Sequence, residues 1–180
     1  ITIILTMSKT YDIVYMDPPW KYNDKMLSGS KAEDHYPTMT EEQLKDMNVY
    51  DIMSDDALLY MWTTNPYMGT SIDIAKHWGL DFKTVAFVWE KQRPTTGHYT
   101  MGSCEFVLVF KKGKIPQPRG IRNARQFLSQ KRREHSRKPD EIRTTIEAMH
   151  PTQSKLEMFA RTQTTGWDVW GNETDKFTNE

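Results

Sequence analysis

The chain has 180 residues with 24 basic and 24 acidic side chains, a net charge of zero and a length that fits one compact domain. Its 27% charged and 12% aromatic residues exclude a disordered chain, which lacks the aromatics to build a core. No apolar stretch approaches the roughly 18 residues of a membrane span, and the lone Cys104 excludes an intrachain disulfide and a cysteine-rich zinc module, fitting a reducing cytoplasm.

Residues 1–10 read as an N-terminal leader or expression remnant plus the start, with Met7 as the natural first residue. Residues 11–175 read as the single domain and 176–180 as a tail. Tyr11 to Met16 is an apolar run that stops at Asp17-Pro18-Pro19, which predicts a short buried strand, because two prolines cannot continue a ladder. A long polar loop follows to about residue 38, and loops of that length are often functional. Thr40 and Gln43 have the spacing of a capping box and predict a short helix. Ala57 to Trp62 predicts a second strand. Met68 to Trp78 predicts a helix stopped by Gly79. Phe82 to Glu90 and Glu105 to Phe110 predict two further strands. Pro139 suits the first turn of a helix running to about Met149, with Asp140 and Glu141 favourable near its N-terminus. Leu156 to Ala160 predicts another strand. Strands alternating with helices in one domain predict a three-layer α/β/α sandwich with a mostly parallel sheet.

The charge is uneven. Eight basic residues but only one acid lie between Arg119 and Lys138, a segment of +7 that leaves −7 on the remainder. Such a dipole steers a polyanion to one face, with Arg132 and Arg133 as candidate phosphate contacts in a loop expected to be mobile when free. A solvated surface loop explains the composition equally well.

In an open α/β sheet ligands bind at the carboxyl ends of the strands, and Asp17 stands at that end of the first one. A carboxylate and an adjacent backbone carbonyl can accept both hydrogens of an aromatic amine and stabilise the positive charge that develops when it attacks an electrophile. Pro18 and Pro19 fix φ and hold those acceptors still, and Trp20 offers a face on which a purine can stack. The alternative for this tetrapeptide is a rigid turn with a core tryptophan. The five histidines show no ligand spacing, which predicts no metal site, and Ser103-Cys104 lacks a base for nucleophilic hydrolysis.

Taken in order, Asp17-Pro18-Pro19-Trp20, His35-Tyr36-Pro37-Thr38-Met39, Leu59-Tyr60-Met61-Trp62, Trp78-Gly79-Leu80, Val88-Trp89-Glu90-Lys91, Glu105, Ser136-Arg137-Lys138-Pro139-Asp140-Glu141, Leu156 to Arg161, Gly166-Trp167 and Gly171-Asn172-Glu173 resemble the landmarks of the MT-A70-like family of adenine-N6 methyltransferases, in its short bacterial and phage form. The resemblance runs from about Tyr11 to Glu173. It implies a Rossmann-like fold, S-adenosyl-L-methionine as cofactor and N6-methylation of adenine in nucleic acid by direct in-line transfer. It implies that Asp17, Pro18, Pro19 and Trp20 hold the target amine and that Tyr36 contacts the target nucleoside, with Trp62, Trp89 and Glu105 near the base. For Trp62 and Trp89 a place in the core fits equally well; a carboxylate opening a buried strand, as Glu105 does, needs a reason to be there.

On the cofactor side the resemblance implies that Lys138 pairs with the cofactor's carboxylate, while Arg161, Gln163, Asn172 and Glu173 meet its ribose and adenine. Gln163 departs from the His that relatives often carry, and Thr164 from their Asn. An acidic cofactor contact of longer relatives lies before the first strand, where this chain has too few residues to supply it. The chain has no Gly-x-Gly-x-x-Gly fingerprint. DNA is the expected substrate, because short chains resemble the bacterial and phage members, and a duplex target would have to be flipped out. RNA is the second reading, and a catalytically silent scaffold or a plain nucleic-acid-binding module the third. A homodimer is an expected partner and a membrane is not.

Overall fold

A computed structural model describes residues 8–21, 37–97, 99–134 and 137–171. Seven strands form one sheet in the order β5-β3-β4-β2-β1-β6-β7. They are β1 (Tyr11–Met16), β2 (Met53–Thr63), β3 (Asp81–Thr95), β4 (Gly102–Lys112), β5 (Phe127–Ser129), β6 (Lys155–Met158) and β7 (Asp168–Trp170). Three helices, α1 (Glu41–Lys45), α2 (Met68–His77) and α3 (Asp140–Met149), flank them. The pairs β1-β2, β1-β6, β6-β7 and β3-β5 are parallel, while β4 is antiparallel to both β2 and β3. The sheet is mostly parallel, as the sequence predicts.

Period-two alternation builds a core on each face. Val14 and Met16 of β1, Leu59 and Met61 of β2 and Leu108 and Phe110 of β4 pack with Leu44 of α1 and Ile74 and Ala75 of α2. Ile13 and Tyr15, Leu58, Tyr60 and Trp62, and Val107 point the other way and pack with Ile142 and Ile146 of α3. This is the expected three-layer arrangement. β1 is central and buried on both faces, so its near-continuous apolar run is what parallel interior strands require.

Local signals place most elements where the residues predict them. The Thr40 hydroxyl accepts from the Gln43 N–H, and the Gln43 side chain accepts from the Thr40 N–H, completing the capping box. Gly79, at φ +92°, ends α2 in the left-handed region. Trp78 then donates its indole N–H to the Leu44 and Lys45 carbonyls and ties α2 to α1.

Several boundaries differ for non-local reasons. β2, β3 and β4 extend beyond their apolar runs because ladder hydrogen bonds continue through polar residues. Pro139 is the N-cap of α3, with extended backbone, one position before the helix. β6 stops at Met158 instead of Ala160, because Phe159 takes φ +58°. The basic segment carries the unpredicted strand β5, paired with Val88 to Glu90, and the Gly120 and Ile121 N–H groups donate to carbonyls at the end of α3.

His150 closes α3 in a buried position, its Nε2 lying 2.8 Å from the Tyr60 hydroxyl. Burial first, then Arg119 and Lys155, hold its pKa down to about 4. The unfolded chain takes up this proton below about pH 6.5, whereas the folded chain resists until about 4. The stability His150 contributes is therefore complete above the unfolded value and is lost as pH falls through the folded one. Thermal midpoints are expected to drop across that window, and His150→Phe to flatten the drop; parallel curves for the two proteins would remove His150 from the acid response.

Candidate active site

β1 lies between β2 and β6, and the chain reaches these neighbours through helices on opposite faces, so the carboxyl end of β1 is the switch point of the sheet. Asp17 stands there. The residues after it are clamped, since the Trp20 N–H donates to the Pro18 carbonyl at 2.9 Å and the Met39 N–H to the Pro19 carbonyl at 2.8 Å. Trp20 turns into the core, 5% exposed, with its ring 5.3 Å from that of Tyr67. The stacking face expected of it is thus spent on packing, and Trp20 anchors the turn that holds Asp17.

A small cleft, open to solvent, lies over Asp17 and is lined by Tyr15, Trp62, Lys138, Glu157, Phe159 and Arg161 among others. Lys138 Nζ lies 2.8 Å from Glu105 Oε1, 3.6 Å from Asp17 Oδ2 and 5.3 Å over the Trp62 ring centroid. Glu105 also faces Lys91 at 3.6 Å. Charges therefore alternate along a line from Lys91 through Glu105 and Lys138 to Asp17. Burial raises the Asp17 pKa above the ordinary carboxylate value, opposed by Lys138 and Arg161. Burial pushes Glu105 the same way, but Lys138 and Lys91 prevail and hold it below its ordinary value.

The expected residues fall into three groups. Asp17, Trp62, Lys138 and Arg161 line the cleft, and Glu105 backs it through Lys138. Trp89 does not line it: the ring stands edge-on to Trp62 at 6.0 Å, is 2% exposed, and gives its N–H to the Gln130 carbonyl, so it supports Trp62 and holds the basic segment. Gln163 is exposed and outside the lining, and Arg133 pairs with Asp140 at 2.8 Å. Arg132 is partly exposed. Tyr36, Asn172 and Glu173 lie outside the described residues.

Tyr15, Glu157 and Phe159 also line the cleft, where the sequence assigned them no site role. Tyr15 accepts the Trp62 N–H at 2.6 Å, which orients the indole over Lys138. Glu157, on β6, lies with its Oε2 3.0 Å from Arg143 Nε, and neither atom has a well-directed hydrogen-bond partner among the described residues. Burial raises the Glu157 pKa, opposed by Arg143. The signal that could have revealed Glu157 is the one that marked Glu105, an acid inside an apolar strand. Phe159, in its left-handed conformation, turns the chain so that Arg161 enters the cleft.

A Rossmann-like sheet with a proline-fixed carboxylate at its switch point defines a methyltransferase of the α/β class. The chain belongs to the MT-A70 family, whose model matches residues 11–173. It is 44% identical to the type II methyltransferase M.MunI of Mycoplasma sp over 92% of this chain and 78% of that protein. Similarity extends to the N(6)-adenosine-methyltransferase MT-A70-like protein of Arabidopsis thaliana, 30% identical over 91% of this chain, and to the human N(6)-adenosine-methyltransferase catalytic subunit METTL3, 27% identical over 92%. The chain spans about a quarter of the length of these two eukaryotic relatives.

Losing the Lys138 charge would leave Glu105 and Asp17 facing each other without their shared cation. Lys138→Met is expected to cost about 3 kcal/mol in urea unfolding, and Glu105→Gln in the same chain to recover part of it. Strict additivity of the two changes would mean that the pair is not coupled.

Proposed function

We propose that the chain transfers the methyl group of S-adenosyl-L-methionine to the exocyclic N6 amine of adenine in DNA. The observation that carries this reading is Asp17, largely desolvated and fixed by Pro18 and Pro19 at the switch point, inside a cleft whose other groups suit a zwitterionic nucleoside. M.MunI is named a type II methyltransferase and the eukaryotic relatives N(6)-adenosine methyltransferases, which supports adenine as the target and, through the short bacterial relative, DNA.

Asp17 accepts one amine hydrogen and the Pro18 carbonyl region the other, which favours a pyramidal nitrogen and compensates the charge it gains during attack. Pro18, Pro19 and the buried Trp20 preorganise these acceptors, so little reorganisation is needed at the moment of reaction. The cofactor supplies an activated methyl on a positively charged sulfur. Lys138 and Arg161 are the cations available to its carboxylate and ribose hydroxyls, and Glu157, whose Oε2 is buried against Arg143, lines the same cleft. We assign Tyr36, Gln163, Asn172 and Glu173 to the nucleoside and cofactor sides on family resemblance alone. Trp62, 1% exposed, backs the cleft beneath the Lys138 ammonium and gives that charge an aromatic floor. Residues 11–175 form the working domain, which can act as a homodimer.

Asp17→Ala is expected to abolish methyl transfer to DNA while S-adenosylhomocysteine affinity by calorimetry stays within a few-fold. Because the reaction needs the carboxylate and burial raises its pKa, the wild-type rate falls at a pH above the ordinary Asp range as acid is added. Near-normal turnover of the variant would overturn the assignment.

The basic segment is the proposed phosphate-binding surface, with Arg122, Arg125, Lys131 and the partly exposed Arg132 as its cations outside the Asp140 pair that holds Arg133. Arg132→Ala is expected to weaken binding to all sequences alike and to reduce the salt slope by roughly one unit. An unchanged slope would take Arg132 off the phosphate path.

A further inference from the structure

β3 and β4 run on beyond the cleft as a two-stranded arm. Glu90 pairs with Cys104, but the next partners are Thr95 and Gly102, so the arm leaves the sheet through a register shift. Gln92 sits at that shift with φ +56°, a conformation that costs a residue with a side chain of order 1 kcal/mol. It is pinned there. Its backbone N–H donates to Glu90 Oε1 at 2.8 Å, its amide to Ser129 Oγ at 3.0 Å, and the Ser129 hydroxyl to Glu90 Oε2 at 2.8 Å. Bulges beside active sites re-aim the strands that carry them, and this one is held in its direction by side chains from two strands. At the far end the Thr95 hydroxyl donates to the Gly102 carbonyl at 3.0 Å, and Gly97 allows the turn because a Cβ there would collide with the Thr100 carbonyl.

What this geometry holds out is aromatic and apolar. Tyr99 is fully exposed, at 101% of its reference area, and Met101 is 65% exposed. No acidic residue lies between Lys91 and Cys104. Arg93 is exposed on the arm, while Lys91 turns back to Glu105. The root of the arm is the catalytic cleft itself, since Glu105 of β4 holds Lys138 beside Asp17. Extended chain from Glu105 to the tip covers roughly 10 to 20 Å, a reach of the same order as the width of a DNA groove.

We propose that the β3–β4 arm engages duplex DNA beside the target adenine, with Tyr99 and Met101 wedged against neighbouring bases and Arg93 on the phosphate backbone. This deepens the proposed function and rests on it. Bases offer π faces and phosphates offer charge, and an arm with an exposed ring, a thioether and a cation but no acid is complementary to both. A wedge at this position also answers the problem that an adenine inside a duplex must leave the stack to reach the cleft over Asp17, because unstacking is offset by the side chain that fills the gap.

The test uses the full chain and a mixed-sequence, unmethylated DNA duplex. Binding is read by fluorescence anisotropy, methyl transfer by label incorporation, cofactor affinity by calorimetry with S-adenosylhomocysteine, and oligomeric state by sedimentation. Tyr99→Ala is expected to weaken duplex binding by about fivefold or more and to lower methyl transfer accordingly, with cofactor affinity unchanged. Tyr99→Trp, which keeps a stacking face, should stay within about twofold of wild type. Equal duplex binding by wild type and Tyr99→Ala would overturn the proposal, as would a Tyr99→Ala chain that loses a dimer present in the wild type, because the arm would then belong to an interface between copies. Wild-type protein that transfers methyl groups while Tyr99→Ala behaves identically sinks the arm alone, whereas wild-type protein that neither binds nor methylates DNA sinks the underlying functional reading as well.

Discussion

Lys138 brings one positive charge within 2.8 Å of Glu105 and 3.6 Å of Asp17, in a cleft where both carboxylates have lost most of their water. Two such acids cannot both stay ionised on their own, because burial raises each pKa and each charge raises the other. With the ammonium between them Glu105 falls below its ordinary value, while Asp17 stays above, held from rising further by Lys138 and Arg161. The asymmetry leaves Glu105 as the standing counter-charge of Lys138 and Asp17 as the more basic of the two carboxylates. The Trp62 ring flanks the ammonium and is oriented by Tyr15, so the aromatic wall and the ion pairs form one unit.

The sheet makes that unit possible. Asp17, Glu105 and Glu157 sit on or at the ends of β1, β4 and β6, and Trp62 on β2, so rigid ladders carry the chemistry and the connecting segments complete it. Lys138 comes from the residue before the Pro139 cap, which is why the helix start and the cleft are coupled. Asp140, one residue later, gathers Arg133, Arg137 and Arg143. Part of the +7 segment is therefore consumed in holding the N-terminus of α3, where a carboxylate is favourable on dipole grounds as well. Arg122, Arg125, Lys131 and Arg132 stay outside that cluster.

Glu90 and Ser129 connect the β3–β4 arm to the same framework. They fix the Gln92 bulge at the edge where β5 joins β3, so the basic segment and the β3–β4 arm share an anchor. Trp89 adds a second tie by donating to Gln130. A displacement of either element would be felt by the other through these few bonds, and both lie close to the acids of the cleft.

Much of this was legible in the residues because the causes are local. An apolar run cut by two prolines ends a strand wherever it is placed, which put Asp17 at a carboxyl end; the Thr40 and Gln43 spacing and Gly79 act within a few residues and delimit their helices. Family landmarks marked Trp62, Glu105, Lys138 and Arg161 as site residues through the ligands they imply, without the contacts these side chains make with one another. Trp20 and Trp89 show the limit: an indole on a loop or strand looks the same in sequence whether it faces a base or a core, and packing against Tyr67 and behind Trp62 decides it. β5 and β7, three residues each, lie below any periodic signal and exist because a neighbouring edge offers hydrogen bonds. The sequence by itself determined the alternation of elements, the proline-fixed carboxylate and its place at a strand end. The tertiary structure alone decided that Lys138 joins Glu105, 33 residues away, to Asp17, that Glu157 enters the cleft and that Tyr99 stands clear of the fold, because those facts depend on which strands lie side by side and not on any local preference.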